Sequence, residues 1–412
     1  MMRLVLIALM LSVGQLQLKT TGRELSADRL LAAGLITAHH ARSVPIIVEN
    51  VLAIARPDET IELPWRGVME HLPTVAPSRV RVFDDAGNAV ASQVIDSDAN
   101  GVPELLIFQA SFSPNEKKQF VLEDAPAPKA VSRVHVMHDE PRDDVAWESD
   151  RIAFRVYGEG LKKTPDAMSS SGIDVWEKSV RTPILEKWYG KSHAGGSYHT
   201  DTGEGADFFD VGQTLGAGGT AIWGGDSLYR ADNFKAYRIT SDGPIRASFE
   251  LRYDPWSAGD VTVSEVKKFS IDAGQNLYRQ ESVFTSNRPG EIIYAIGLVK
   301  RPGMKGTESK DQSWGWLSGW GPIVPKNGGH GELGTAVLLP RERITDWKET
   351  GTHYLAISRA TSGQAVVHYI GAGWTASGDF PTPQSWWSYL DQFSMRLASP
   401  VRVTFGAATS PR

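Results

Sequence analysis

The stretch "IRASFELRY", residues 245–253, alternates without a break. Ile245, Ala247, Phe249, Leu251 and Tyr253 share one parity, while Arg246, Ser248, Glu250 and Arg252 share the other. Successive side chains of a strand point to opposite faces, so the segment spells a strand with one face in a core and one polar face turned outward. "EIIYAIGLV", residues 291–299, is apolar on both parities, which fits a strand covered on both sides. Similar runs follow at "HYLAISRA", "QAVVHYIG" and "VRVTF", and the whole predicts a large antiparallel β-sandwich with few short helices.

Upstream, "VPIIVENVLAIA", "TIELPW", "SRVRVFD", "NAVASQVI", "PELLIFQA" and "KKQFVLED" follow one another with turns between them. Short strands at near-regular spacing predict a first β-rich unit over residues 44–124. The alanine- and proline-rich segment at 125–131 reads as a linker, and residues 132–412 as the large sandwich that carries the site. One helix stands out near the end. Thr382 suits its cap, Pro383 its first position, and Trp386, Leu390, Phe393 and Leu397 recur at helical spacing.

A chain of 412 residues, 41% hydrophobic and 22% charged, can bury a substantial core. Its net charge of -5, with lysine and arginine scattered, offers no footprint for nucleic acid. The absence of cysteine excludes disulfides, thiolate metal sites and a thiol nucleophile. Arg3 followed by the apolar run Leu4 to Val13 reads as a signal peptide over residues 1–14, far below the roughly 20 residues of a permanent membrane span. Residues 15–43 read as a leader, helical over Ala27 to His40. Export to the periplasm or beyond is the expectation.

The chemistry is expected in "SYHTDTGEGADFFDVGQTLGAGG", residues 197–219. In an extended backbone His199 and Asp201 project to the same side, and a carboxylate beside an imidazole fixes its tautomer and raises its basicity. His199 or Tyr198 is then the proton carrier and Asp201 the residue that orients the imidazole. No cofactor is required by this reading. If a divalent cation is used, His199, Glu204 and Asp207 are the ligands expected to hold it. The competing reading is that the acids cap turns and the glycines supply unusual backbone angles.

Several of the 13 tryptophans stand in polar or glycine-rich surroundings. Flat aromatic faces suit the apolar faces of sugar rings, so Trp188, Trp223, Trp316 and Trp374 are candidate substrate contacts, with core packing as the alternative for each. Abstraction of a proton beside a carboxylate needs that carboxylate neutralised, which nominates Arg230 and Lys187 as a clamp. Tyr294, His330 and His353 complete the candidate substrate-binding set.

"ARPDETIELPW", "YHTDTGEGADFFDVGQTLGAGG" and "HYIGAGWTASGDF" followed by "SWWSYL" resemble the secreted bacterial family called domain of unknown function 4861, from about residue 45 onward. The middle motif is the most specific, and it matches at Tyr198, His199, Asp201, Glu204, Gly205 and Asp207. Phe209 stands where tyrosine is expected, which leaves a hydroxyl role there in doubt. The resemblance implies a mutarotase-like β-sandwich (supersandwich), a place among polysaccharide-utilisation genes, and kinship with oligosaccharide dehydratases acting on uronate-containing fragments of ulvan. On it rests the expectation of an exported carbohydrate lyase of the hydro-lyase type that eliminates water or an alkoxide from an acidic oligosaccharide. A non-catalytic carbohydrate-binding module and a metal-dependent glycoside hydrolase or epimerase are the alternatives.

Overall fold

The computed structural model describes residues 18–20, 23–25, 43–126, 130–164, 168–309, 313–324 and 328–407. The signal segment and the helix expected over Ala27 to His40 lie outside the described residues. So do residues 127–129 of the expected linker.

The alternation of "IRASFELRY" becomes the strand Arg246–Ala258, preceded by Ile245. Ile245, Ala247, Phe249, Leu251 and Tyr253 are all buried. This strand belongs to an eight-stranded antiparallel sheet, ordered Ala236–Asp242, Arg246–Ala258, Val261–Asp272, Leu277–Ser286, Ala365–Trp374, Glu332–Pro340, Trp314–Pro322 and Lys305–Ser309. Two five-stranded sheets complete the large body. One places Glu291–Val299 at its centre, between Ala217–Gly224 and His353–Thr361; residues 294–298 are buried on both parities, whereas Ile293 is exposed. The other is built from Val134–Asp139, Asp144–Ser149, Ala153–Tyr157, Asp174–Lys178 and the short Gly205–Ala206. Trp147 of this sheet is fully buried against Phe154, Phe249, Phe269 and Tyr278, with ring centroids 5.0–5.6 Å away. Aromatic pairs of this kind add about 0.5–1.5 kcal/mol each beyond area burial.

The six strand segments expected upstream form two small sheets around Val44, Ile46, Ile61, Phe108 and Leu122. The last strand among the described residues, Arg402–Phe405, pairs with Ser43–Glu49 and so joins the first unit across the expected boundary.

Among the described residues three α-helices occur: α1 (Trp65–His71), α2 (Leu185–His193) and α3 (Pro383–Ala398). Helix α3 is the one legible in sequence. Thr382 accepts from the Ser385 N–H in a capping box, Pro383 opens the helix, and Trp386, Leu390 and Phe393 are buried against Trp316, Trp320 and Leu338 of the large sheet. No helix among the described residues is long and apolar enough to cross a membrane.

Candidate active site

Three strands place charged groups where their neighbours are apolar. Register sets Arg155 opposite Asp174 and Tyr157 opposite Asp144. Cross-strand partners share a face, and so do residues two apart, so the four polar groups meet on one side of the sheet. All are buried.

Arg155 is the hub. Its Nε and Nη2 donate to Oδ2 of Asp174 at 2.9 and 2.6 Å, and Tyr157 donates its hydroxyl to the same oxygen at 3.0 Å. Segment 197–212 then lies over the hub. Arg155 Nη1 donates to the Tyr198 hydroxyl at 2.8 Å and Nη2 to Asp207 Oδ2 at 2.9 Å. Asp144 Oδ2 stands 3.7 Å from Nη1 and accepts from Tyr189 of α2 at 3.4 Å. The planar five-donor guanidinium suits this many-sided role in a way an ammonium does not.

Local backbone chemistry holds the segment down. The Asp207 N–H donates to the Tyr198 carbonyl at 2.9 Å. Gly205 has φ +100° and passes so close to the Glu177 carbonyl that a Cβ there would lie 2.0 Å from it. Glu177 is buried, accepts the Phe208 N–H at 3.1 Å, and so fixes the stretch just after Asp207.

Together these groups line a cavity of about 320 Å³, with Arg142, Asp144, Arg155, Tyr198, His199 and Asp207 on its polar side. Tyr157, Phe208 and Phe209 supply aromatic surface. The His199 ring is 43% exposed and therefore open to solvent. Its Nδ1 lies 3.0 Å from the Asp207 carbonyl oxygen and 3.4 Å from Asp207 Oδ2. The carbonyl oxygen can only accept, so Nδ1 carries the proton that faces it.

Burial dominates the electrostatics. It pushes the Asp144 carboxyl up to about 7, against the pull of Arg155. Asp207 is driven well above the usual carboxylate range by burial and then by Asp174, with Arg155 opposing. Burial likewise pushes Glu177 up to about 8, against its Phe208 hydrogen bond and Arg301. For Arg155 burial opposes the charge, but Tyr157, Asp174, Asp207 and Tyr198 outweigh it and raise the guanidinium further. The site therefore holds carboxylic protons near neutral pH. Asp144 Oδ1 and Asp207 Oδ1 are buried and have no hydrogen-bond partner among the described residues.

Tyr198 and His199 thus meet at the cavity, as does Asp207, expected only as a conditional metal ligand. Asp201 does not orient His199. Its Oδ1 accepts from the N–H groups of Gly203 and Gly205 at 2.7 and 2.9 Å, which makes it the cap of the turn. Glu204 is drawn away from His199 and Asp207. It pairs with Lys187 at 2.6 Å and accepts the Trp188 indole N–H at 3.4 Å, and the Lys187 contact lowers its carboxyl. The ligand set His199, Glu204 and Asp207 therefore does not converge. Among the described residues the ligand atoms that do converge are those of Asp96, Asp98 and Glu104, elsewhere on the chain. Lys187, at 67% exposure, is committed to that surface ion pair and is no clamp. Arg230 is half-buried beside His353, not at the cavity; burial and then Arg230 push the His353 imidazole down to about 4.

None of the seven expected substrate contacts lines the cavity. Trp188 stacks on Trp176 at 5.6 Å, and Trp223 lies under the Lys348 ammonium at 4.8 Å. Tyr294 is buried against Phe284, and Trp316 donates its indole N–H to Asp391 of α3 at 2.8 Å. His353 accepts the Leu215 N–H at 3.1 Å and so anchors the end of the segment. Trp374 donates to the His330 carbonyl, and both rings pack around Phe208, one layer behind the cavity. Large indoles fill core gaps wherever a partner for the N–H is at hand, and Trp188, Trp316 and Trp374 are buried in that way, whereas Trp223 is half-buried. Phe209, in place of the expected tyrosine, lies 5.3 Å from the Arg301 guanidinium and brings no hydroxyl.

Asp144, Arg155, Tyr157, Asp174 and Glu177 were missed by sequence reasoning. Their signal was a charged residue set inside an apolar strand, as in "IAFRVY". Arginine and aspartate are almost never fully buried unless paired, so such a position announces a polar hub.

The family model described as Domain of unknown function (DUF4861) matches residues 48–403. The chain is a DUF4861 protein. Members of DUF4861 are typically secreted or periplasmic bacterial proteins, in agreement with the export expected from the apolar run. A relative, Uncharacterized protein P7 of Formosa agariphila, is 33% identical over 380 residues, covering 87% of this DUF4861 chain and 92% of the relative. Among solved structures, an alpha-mannosidase from Enterococcus faecalis shares the fold at a TM-score of 0.50 and 10% identity, over 91% of this chain and 47% of that one. A protein in the Glycosyl Hydrolase Family 38 from the same organism gives a TM-score of 0.48 at 11% identity, over 90% and 48%. The chain thus spans about half the length of each.

Proposed function

We propose that this DUF4861 protein is a carbohydrate-acting enzyme whose acid–base chemistry takes place in the Arg155 cavity. One observation carries the reading: two buried carboxyl groups, Asp144 and Asp207, converge with Tyr198 and the solvent-accessible His199 on one sugar-sized hollow. A carboxyl held near 7, as Asp144 is, can donate a proton to a leaving oxygen under neutral conditions. The imidazole of His199, at the cavity, is suited to exchange a proton with water or a sugar. Arg155 fixes Tyr198, Asp174 and Asp207 and keeps their spacing under load. Aromatic surface from Tyr157 and Phe208 suits the apolar face of a pyranose. The fold shared with part of an alpha-mannosidase supports a carbohydrate substrate.

Glycosidic cleavage of an uncharged sugar fits this cavity better than elimination beside a uronate. Arg155 is spent on Asp174 and Asp207, and Arg142 contacts Asp139 at 3.4 Å. A uronate carboxylate entering here meets acids and no uncommitted cation. Elimination keeps one supporting feature, the imidazole of His199 beside the Asp207 carboxyl, which is a workable base. A divalent cation would have to share the carboxylates with the guanidinium already among them. A non-catalytic carbohydrate-binding role would use the same hollow without needing Asp144.

Mass spectrometry of neutral and uronate-containing oligosaccharides incubated with the protein separates these readings. Hydrolysis adds water across a cleaved bond; a dehydratase product is lighter by one water. Loss of product in Asp144→Asn supports the proposal. Binding without any product, or undiminished turnover in that variant, ends it.

A further inference from the structure

On the far face of the large sheet two cavities, of about 350 and 200 Å³, share Arg246, Ser270 and Arg279 and so form one trough. Register explains its shape. Ser248 pairs with Ser270, Ser270 with Arg279, and Arg279 with Tyr369, so these side chains form one row across four strands. Three strand spacings make that row roughly 14 Å long. Two serines in succession keep the floor low, while the flanking rows carry long charged arms. Glu59 and Glu62 of the first unit form part of the opposite wall.

Nearly every charge in the trough is matched. Arg246 makes a bidentate pair with Asp272 and a third contact to Glu62 at 2.7 Å. Arg279 pairs with Glu281 at 2.9 Å, Arg396 with Glu59 at 3.1 Å, and Glu250 with Arg252 at 3.0 Å. Lys268 lies 4.0 Å from Glu281. Glu104 is the exception: it accepts the N–H and hydroxyl of Ser97 and stands with Asp96 and Asp98. A seam serving only to dock the first unit would be close-packed, as protein interiors are. This one leaves a hollow of mixed lining, in which Leu277, Phe393, Leu397 and Val401 stand beside the charged pairs.

We propose that the trough binds an uncharged glycan chain laid along the Ser248–Ser270–Arg279–Tyr369 row. Paired guanidinium and carboxylate groups present fixed donors and acceptors side by side, and hydroxyl groups can use both. A net anion or cation gains nothing from charges already neutralised by their neighbours. Tyr369, edge-on to Trp314 at 5.4 Å, offers a ring at one end of the row. The low serine floor admits a ring where a larger side chain would exclude it. The trough shares no lining residue with the Arg155 cavity, so this site stands or falls independently of the chemistry proposed there.

Calorimetry and saturation-transfer NMR on the full chain test it, with cellohexaose, xylohexaose and mannohexaose as neutral probes and an oligogalacturonate of the same length as the charged one. At least one neutral hexaose is expected to bind, more tightly than the oligogalacturonate. Ser270→Trp, which fills the floor, and Arg279→Ala, which leaves it open, are each expected to weaken binding by about tenfold or more. The binding that remains in His199→Ala is the trough's share, and it is expected to be lost in the trough variants. Thermal unfolding confirms that each variant is folded, and Arg279→Ala decides alone if Ser270→Trp is not. Three results overturn the proposal: no neutral hexaose binds, the oligogalacturonate binds more tightly, or binding survives the trough variants and is lost in His199→Ala. Trough binding without turnover would uphold this site while ending the functional proposal above.

Discussion

His199 Nδ1 stands 3.4 Å from the carboxyl oxygen Oδ2 of Asp207. Asp201, two residues away in sequence, is instead turned into its own loop by the N–H groups of Gly203 and Gly205. The two acids therefore do different work. Asp207→Asn is expected to lower turnover on a responsive oligosaccharide by about 10²-fold or more, the usual scale of an acid–base contribution. Asp201→Asn loosens the turn and is expected to cost less than about tenfold. Steady-state kinetics on both variants checks this, and equal losses would contradict it.

Arg155 is buried with carboxylates on several sides, and removing it leaves Asp174 and Asp207 uncompensated. Breaking a buried pair in this way costs about 3–5 kcal/mol. Arg155→Met is expected to lower the denaturant midpoint accordingly, and Arg155→Lys to recover only part of it, because one ammonium cannot reach four partners. Stability unchanged in Arg155→Met would refute the hub.

Stability is expected to fall with rising pH through the range in which Glu177 and Asp144 stay protonated in the fold. Unfolded, they titrate near 4.5 and 3.8; folded, burial holds them near 8 and 7. Within that window the native state binds more protons than the unfolded chain, so unfolding free energy drops as pH rises. The contribution is complete below about pH 4 and is lost as pH climbs through the folded values, at about 1.4 kcal/mol per unit for each group. The difference between wild type and Glu177→Gln isolates one of them. A difference that grows in favour of wild type with rising pH would have the wrong sign.

Trp374 and Tyr294 are expected to act through packing. Tyr294 is 1% exposed, and Tyr294→Ala should cost about 3–5 kcal/mol of stability. Tyr294→Phe removes only the hydroxyl and is expected to leave sugar binding unchanged. Trp374→Phe loses the hydrogen bond to the His330 carbonyl and is expected to shift the thermal midpoint more than the affinity. A selective loss of affinity in either conservative variant would return these residues to the binding surface.

Strand parity carried most of the fold. The alternation at 245–253 found the environment its pattern demands, because period-two burial is written in single residues. The two-sided apolar run at 291–299 found it from Tyr294 to Leu298 but not at Ile293. Helix α3 was legible for a similar reason, since its cap, first residue and apolar spacing all agree. Pairing was not legible. Nothing local in "VRVTF" tells that Arg402–Phe405 returns to Ser43–Glu49. The candidate site divides the same way. His199 and Tyr198 stood out by residue type within one segment. Asp144, Arg155 and Asp174 join them only through register between strands up to 30 residues apart (Asp144 to Asp174). The tryptophans misled because composition reports a flat ring but not the face it packs on.

The most direct test is diffraction from crystals of the Asp144→Asn variant soaked with a neutral oligosaccharide that the wild type converts. A sugar ring is expected in the Arg155 cavity, against Tyr198 and Phe208, with an oxygen within hydrogen-bonding reach of His199 and residue 144. A sugar bound only elsewhere on the molecule, with that cavity unchanged, would contradict it.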